Sequence, residues 1–265
     1  MSTSIGKSLR LAEFWREGQR SLLIDATLPA ALGPLPGLEA PARLVESLAP
    51  LADGLILNPG LAERHAERFG GRLGAAPLVR LDWANIHRPA DFALPPRNPQ
   101  RVMLATPTDA VQIGACAAVV SLLLGYDEDF EAHNIQSISF ASRECTRVSL
   151  PLLADVHLTG PKIDPARFDS ALELGVSFMV EAGADGIFLP LPGPQALRLL
   201  LNYSPVPLFI RLGTAAQLEE QGQALQDALE AGVAGLVVGS HALSRADEAL
   251  AQARALLEGK ARVAP

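Results

Sequence analysis

Short apolar runs alternate with stretches of helical periodicity from one end of the chain to the other. Eight runs read as strands: 21–27, 54–60, 77–83, 117–125, 150–160, 186–191, 206–213 and 235–241. Each is apolar on both faces, as a strand must be when helices cover both sides of its sheet. Between them lie segments with apolar residues at i, i+3, i+4 and i+7, clearest over 38–52, 164–183 and 215–232. The last two end in Glu-Ala-Gly, which places Gly183 and Gly232 as helix C-caps. Residues 1–20 supply one further amphipathic helix before the first strand. Eight strand–helix units predict a single α/β domain over 1–265, a (β/α)8 TIM barrel with an extra N-terminal helix. An open doubly wound sheet is the alternative, but no GxGxxG or GxxxxGK[ST] follows the first strand. The segment 84–101 has no periodicity and many prolines. It follows the third strand, so it lies on the C-terminal face, either as a lid over the barrel or as a passive loop.

Composition narrows the partners more than the chemistry. Of 265 residues, 49% are hydrophobic and 19% charged, enough for a large core, and the formal net charge is −7. That balance argues against nucleic acid or an anionic membrane as the main partner. No apolar run reaches spanning length and no basic segment precedes an apolar leader, so a cytoplasmic location is expected. Cys116 and Cys145 sit in apolar or helical contexts and read as unreactive thiols. Lysine is scarce. Lys7, Lys162 and Lys260 are the only three, so a mechanism that needs an amine has few candidates.

Reactive groups in such barrels come from the C-terminal ends of the strands. The polar residues there are Asp25, Asn58, Arg80, Asp82, Ser121, Asp155, His157, Arg211, Ser240 and His241. The sixth strand contributes none. Asp25 directly follows an apolar run; a polar site accounts for a carboxylate there, as does capping of the next turn. Strand periodicity sets Asp155 on one face with His157, and Asp82 on one face with Arg80. The Asp82–Arg80 pair suits either a site or a structural ion pair inside the barrel. His157 can act as general acid or base, or simply donate a hydrogen bond within its loop. Gly213, Gly239, Ser240 and His241 lie in the loops after strands seven and eight, the usual phosphate site of this architecture, with Arg211 the nearest cation. His65, His87 and His133 fall on helices or the long loop, where solvated or capping roles outweigh catalysis. No HExxH, CxxC or His-x-His spacing occurs, so neither metal nor cofactor is expected.

Taken together, LLIDAT (22–27), LNPG (57–60), RVMLATPTDAVQIGACAAVVSLLLG (101–125), PLLADVHLTGPKID (151–164), AGADGIF (182–188) and AGVAGLVVGS (231–240) resemble the class I aldolases of the DeoC/LacD type. The similar branch holds archaeal-type fructose-bisphosphate aldolase, the autoinducer-2 thiolase/aldolase and amino-dideoxy-heptulosonate synthase. The resemblance covers nearly the whole chain. It implies carbon–carbon lyase chemistry on a small-molecule substrate and a homo-oligomer, since relatives form ring-like assemblies. Phe14 and Trp15 suit either a subunit interface or a plug at the barrel bottom. In this family a strand-six lysine, after an Ala-Asp pair and two apolar residues, forms a Schiff base with a carbonyl substrate. Here Ala184, Asp185, Gly186 and Ile187 lead to Phe188. The strand-one Asp is kept as Asp25, the strand-five Tyr corresponds to His157, and the phosphate grip corresponds to Leu212-Gly213 and Gly239-Ser240. Three readings follow. Lys162, after strand five, is a relocated nucleophile. Alternatively, Asp25 and His157 move protons on an unphosphorylated carbonyl or hydroxy compound without an imine. Or the chain is a non-catalytic paralogue that binds a small molecule or protein partner.

Overall fold

The computed structural model describes residues 4–34, 39–69, 74–239 and 246–259. Its strands are β1 (Ser21–Asp25), β2 (Gly54–Leu57), β3 (Ala76–Arg80), β4 (Asp82–Ala84), β5 (Arg101–Met103), β6 (Ala117–Leu124), β7 (Leu152–Leu158), β8 (Gly186–Leu189), β9 (Leu208–Leu212) and β10 (Gly235–Val238). Eight of them close a parallel barrel in the order β1-β10-β9-β8-β7-β6-β3-β2. The eight expected strands are all present, with helices packed outside them. The helices Phe168–Ala182 and Gly222–Ala231 end on Gly183 and Gly232, both in the left-handed conformation that glycine adopts without strain.

Alternation along each strand divides the core in two. Leu22, Ile24, Leu55, Val79, Val120, Ala154, Ile187, Ile210 and Val238 face outward and pack with the helices. Leu23, Ile56, Leu78, Val119, Leu153, Phe188, Phe209 and Val237 face inward and fill the barrel. Two residues further along the same inward faces come Asp25, Arg80, Ser121, Asp155 and Arg211. The polar layer is thus the next storey of the same barrel interior, set by strand periodicity. On β8 the inward residue is Phe188, fully buried and in register with Asp155 on one side and Phe209 on the other.

The N-terminal helix is shorter than 1–20. It spans Ile5–Leu11, capped by Ser4, and the chain then turns. It packs at the strand N-termini: Lys7 Nζ lies 2.7 Å from Asp185 Oδ2, just before β8, and Arg10 donates to the Ala115 carbonyl, just before β6. Phe14 is buried, and Trp15 meets Phe209 edge-on at 6.4 Å between centroids. Phe14 and Trp15 therefore plug the barrel bottom. At the other end, β4 and β5 pair antiparallel and bracket the segment 85–100. Among the described residues no helix is long and apolar enough to cross a membrane.

Candidate active site at the barrel mouth

The C-terminal mouth opens into a pocket of about 290 Å³. Its floor is an ion-pair network. Asp155, fully buried on β7, accepts from Arg80 Nη2 at 2.7 Å and from Arg211 Nε at 2.6 Å, and Arg211 Nη2 also reaches it. Asp25, at the end of β1, accepts from Arg80 Nη2 at 2.9 Å and Arg211 Nη2 at 3.1 Å. Its other oxygen accepts the Thr27 backbone N–H at 2.9 Å and the Thr27 hydroxyl. So Asp25 caps its own turn and joins the site at once. Arg80 Nη1 donates to Ser121 Oγ at 2.6 Å. His157 Nε2 lies 3.0 Å from Asp155 Oδ2, which fixes its ring at the pocket wall.

Burial opposes charge on each carboxylate, and the guanidiniums outweigh burial. Arg80 and Arg211 bring Asp25 down to about 2. Arg211, His157 and Arg80 hold Asp155 well below the usual carboxylate range. Both are ionised at any ordinary pH. Arg211 then has one nitrogen left: among the described residues nothing accepts from its Nη1, and the residue lines the pocket. Below it, the Phe188 ring centroid is 6.0 Å from the guanidinium carbon, a cation–π distance.

Several candidates fall elsewhere than their residue type suggested. Lys162 is corrected as a nucleophile. Its backbone N–H donates to the Gly125 carbonyl, and Gly160 abuts Gly125 so tightly that no side chain fits there. This turn sends the Lys162 side chain outward onto Glu128, half exposed, with that carboxylate raising its pKa. Lys7 is at the opposite end of the barrel, and Lys260 lies outside the described residues. Asp82 pairs with Arg80 at 3.8 Å, and more closely with Arg101 on β5, which donates to it at 2.7 Å, as does the Ser121 backbone N–H. Asn58 lines the pocket and donates to the Thr27 carbonyl at 2.8 Å, tying β2 to the loop after β1. Gly213 and Gly239 line the pocket too, but their N–H groups are engaged, by Gln217 Oε1 at 2.6 Å and the Leu212 carbonyl at 2.7 Å. Ser240 and His241 lie outside the described residues.

One pocket residue escaped the sequence. His87, on the segment 85–100, stands edge-on to His157 with 5.7 Å between ring centroids. It keeps a solvent-facing side at the rim. Partial desolvation of its ring, with His157, Arg80 and Arg211 close by, pushes its pKa down. The segment is anchored: Arg88 donates to the Ala31 carbonyl at 2.8 Å and lies against the rings of Trp83 and Phe92. Asn85 and Gln100 bond each other across its base.

Comparison with known proteins agrees with this architecture. No family model matches the chain. It is 28% identical over 240 residues to an uncharacterized aldolase of Saccharolobus solfataricus, covering 89% of this chain and 87% of the relative. It is 29% identical over 241 residues to the 2-amino-3,7-dideoxy-D-threo-hept-6-ulosonate synthase of Halobacterium salinarum, with 89% and 85% covered. Its homologues are aldolases and synthases. The fold is shared with solved structures as well. An archaeal fructose 1,6-bisphosphate aldolase superposes with a TM-score of 0.75 over 96% of this chain and 98% of that one, at 22% identity. The aldolase-type barrel is therefore complete here, and its polar mouth is built from Asp25, Arg80, Asp155, His157 and Arg211.

Proposed function

We propose that the chain is a carbon–carbon lyase of the aldolase class, acting on a small hydroxy-carbonyl compound without a Schiff base. One observation carries this: three carboxylates, two guanidiniums and two imidazoles converge on one pocket, and no lysine lines it among the described residues. Guanidinium does not form imines, but it stabilises developing negative charge in a site screened from water. In the cleavage direction, His157 takes the proton of the substrate's β-hydroxyl. The bond between the α- and β-carbons breaks, its electron pair passes to the α-carbon, and an aldehyde leaves. The resulting enolate oxygen lies at Arg211 Nη1. The imidazolium of His157 then returns the proton to the α-carbon, so protons and electrons balance within one turnover. Asp155 orients His157 and offsets its charge. Asp25 holds Arg80 and Arg211 in place. The segment 85–100 covers the mouth and brings His87 to its rim.

A screen of hydroxy-carbonyl compounds followed by NMR tests this. Turnover is expected to be insensitive to borohydride, and His157→Asn to lower kcat at least 100-fold, the usual size of a general acid–base contribution, with little change in KM. Borohydride inactivation with label on a lysine would replace this mechanism by an imine. The second reading, a binding protein derived from an aldolase, is favoured by one observation, that Phe188 fills the strand position where the family resemblance places the reactive amine. Saturable binding with no turnover across the screen would establish it.

A further inference from the structure

The mouth pocket is segregated. The charged side chains of its floor, Asp25, Arg80, Asp155 and Arg211, stand on the barrel strands themselves, as does His157. Its large apolar side chains come from two stretches further out: Leu28 and Ala31 from the loop after β1, and Trp83 from β4, which follows β3. These stretches are bonded to each other. Trp83 Nε1 donates to the Ala30 carbonyl at 3.0 Å and Arg88 Nε to the Ala31 carbonyl at 2.8 Å, while the Arg88 guanidinium carbon lies 5.3 Å from the centre of the Trp83 ring. Because β1 and β3 flank β2 in the barrel, Leu28, Ala31 and Trp83 form one wall above Asn58 at the end of β2. The strand order puts β7, which carries His157, directly across the barrel from β1, and His87 reaches over to His157 on that far side. Leu28 and Trp83 are only half-buried, so apolar surface remains for a ligand to cover.

A substrate oriented as proposed has its carbonyl oxygen at Arg211 on the floor and its β-hydroxyl at His157 on one side. The substituent on the β-carbon, which departs with the aldehyde, then extends across the mouth to the wall of Leu28, Ala31 and Trp83. An apolar substituent there takes the surface of these side chains out of water. A hydroxylated one gives up hydration against the same surface. We infer that the site takes a β-hydroxycarbonyl compound whose aldehyde-forming half is apolar, aliphatic or aromatic, and that Trp83 and Leu28 are the specificity-determining residues for that half. The inference rests on the reading of this pocket as a lyase site.

Ligand-observed NMR titration of the full chain tests it without requiring turnover. The probes are the aldols of acetone with isobutyraldehyde, with benzaldehyde and with glycolaldehyde, which share the carbonyl half and differ only in the aldehyde half. One of the two apolar aldols is expected to bind at least about tenfold more tightly than the glycolaldehyde aldol, the discrimination that a methylene-sized group supplies in an apolar pocket. A smaller preference overturns the inference, and so does absence of binding by both apolar aldols. Trp83→Ala removes the largest part of the wall and is expected to abolish the preference; an unchanged preference in the folded variant overturns the role of Trp83. If Trp83→Ala does not fold, Leu28→Asn decides, since it sets an amide in the same wall and leaves the contacts of Trp83 in place; the preference should fall there too, and an unchanged one overturns the assignment. Preferential binding of the apolar aldols with no cleavage of any compound would leave the selectivity of the wall standing and remove the lyase reading. Cleavage confined to the glycolaldehyde aldol would do the reverse.

Discussion

Asp155→Asn is the sharpest single perturbation of the barrel interior. The wild-type carboxylate is fully buried and accepts from Arg80, from two nitrogens of Arg211 and from His157. Asparagine keeps the shape but removes the charge, and it turns an NH2 towards guanidinium donors. Arg211 is then left with Asp25, and Arg80 with Asp25 and, at 3.8 Å, Asp82. Removing one partner of a buried ion pair costs about 3–5 kcal/mol. For a domain of this size 1 kcal/mol moves Tm by about 2–4 °C, so the variant should melt roughly 10 °C lower. Urea unfolding followed by far-UV ellipticity measures the gap.

The same carboxylate predicts how that gap changes with pH. Its folded-state pKa lies well below the value near 3.9 of an unfolded Asp. The stabilisation is therefore fully present above about pH 5, and it is lost as pH falls through 3.9 towards the folded-state value. The difference between wild type and Asp155→Asn should be flat from pH 7 to pH 5 and shrink below pH 4. A gap under about 1 kcal/mol at neutral pH would refute the claim that Asp155 organises the two guanidiniums. A gap that stays constant down to pH 3 would refute the depressed pKa.

Lys7→Met strips the partly buried Asp185 carboxylate of its ammonium at the barrel bottom, leaves it the Leu152 N–H, and should cost about 1–3 kcal/mol in the same urea assay; a neutral outcome would mean the N-terminal helix is not held by that pair. Gly160→Ala puts a Cβ 1.9 Å from the Gly125 carbonyl carbon and should lower stability by at least about 1–3 kcal/mol, through forced displacement of the β7 loop, visible as a lower Tm. Phe188→Lys should cost about 3–5 kcal/mol from lost aromatic burial, and it places an amine in a desolvated site beside Arg211, where its pKa falls. Borohydride with dihydroxyacetone should then label the variant and not the wild type; a folded, unlabelled variant would show that position 188 does not face the substrate.

The barrel was legible because its strands are apolar on both faces and long enough to stand out from helical periodicity. The polar layer was legible for a related reason. Asp25, Arg80, Asp155 and Arg211 each lie two residues beyond an inward-facing apolar residue, so strand alternation alone sends them to one place. The hairpin of β4 and β5 was not legible. Each strand has three residues, too few to show alternation, and Asp82 reads as a continuation of the third barrel strand. Its partner Arg101 is 19 residues away, across a segment with no periodicity, so only the closed fold brings the two together. His87 escaped for the same reason. Lys162 had the right loop and the right chemistry, and what removed it was local: the contact of Gly160 with Gly125 sets a turn that aims its side chain at Glu128.

Phe188 and Arg211 are best understood together. Phe188 is level with Asp155 in the barrel, and Arg211 stands one storey above it, its guanidinium over the ring. A barrel lacking an amine at position 188 still needs a cation to balance Asp25 and Asp155, because two bare carboxylates cannot stay ionised in so confined a space. Arg211, with Arg80, supplies that charge on a side chain that cannot be deprotonated at ordinary pH. The exchange has a chemical price: a guanidinium can stabilise an enolate but cannot form an imine with a ketone. In the proposed mechanism, covalent catalysis at the mouth gives way to electrostatic catalysis, and the proton transfers fall to His157. The buried phenyl ring beneath keeps water from the lower face of the guanidinium, which in the proposed mechanism strengthens its hold on the enolate.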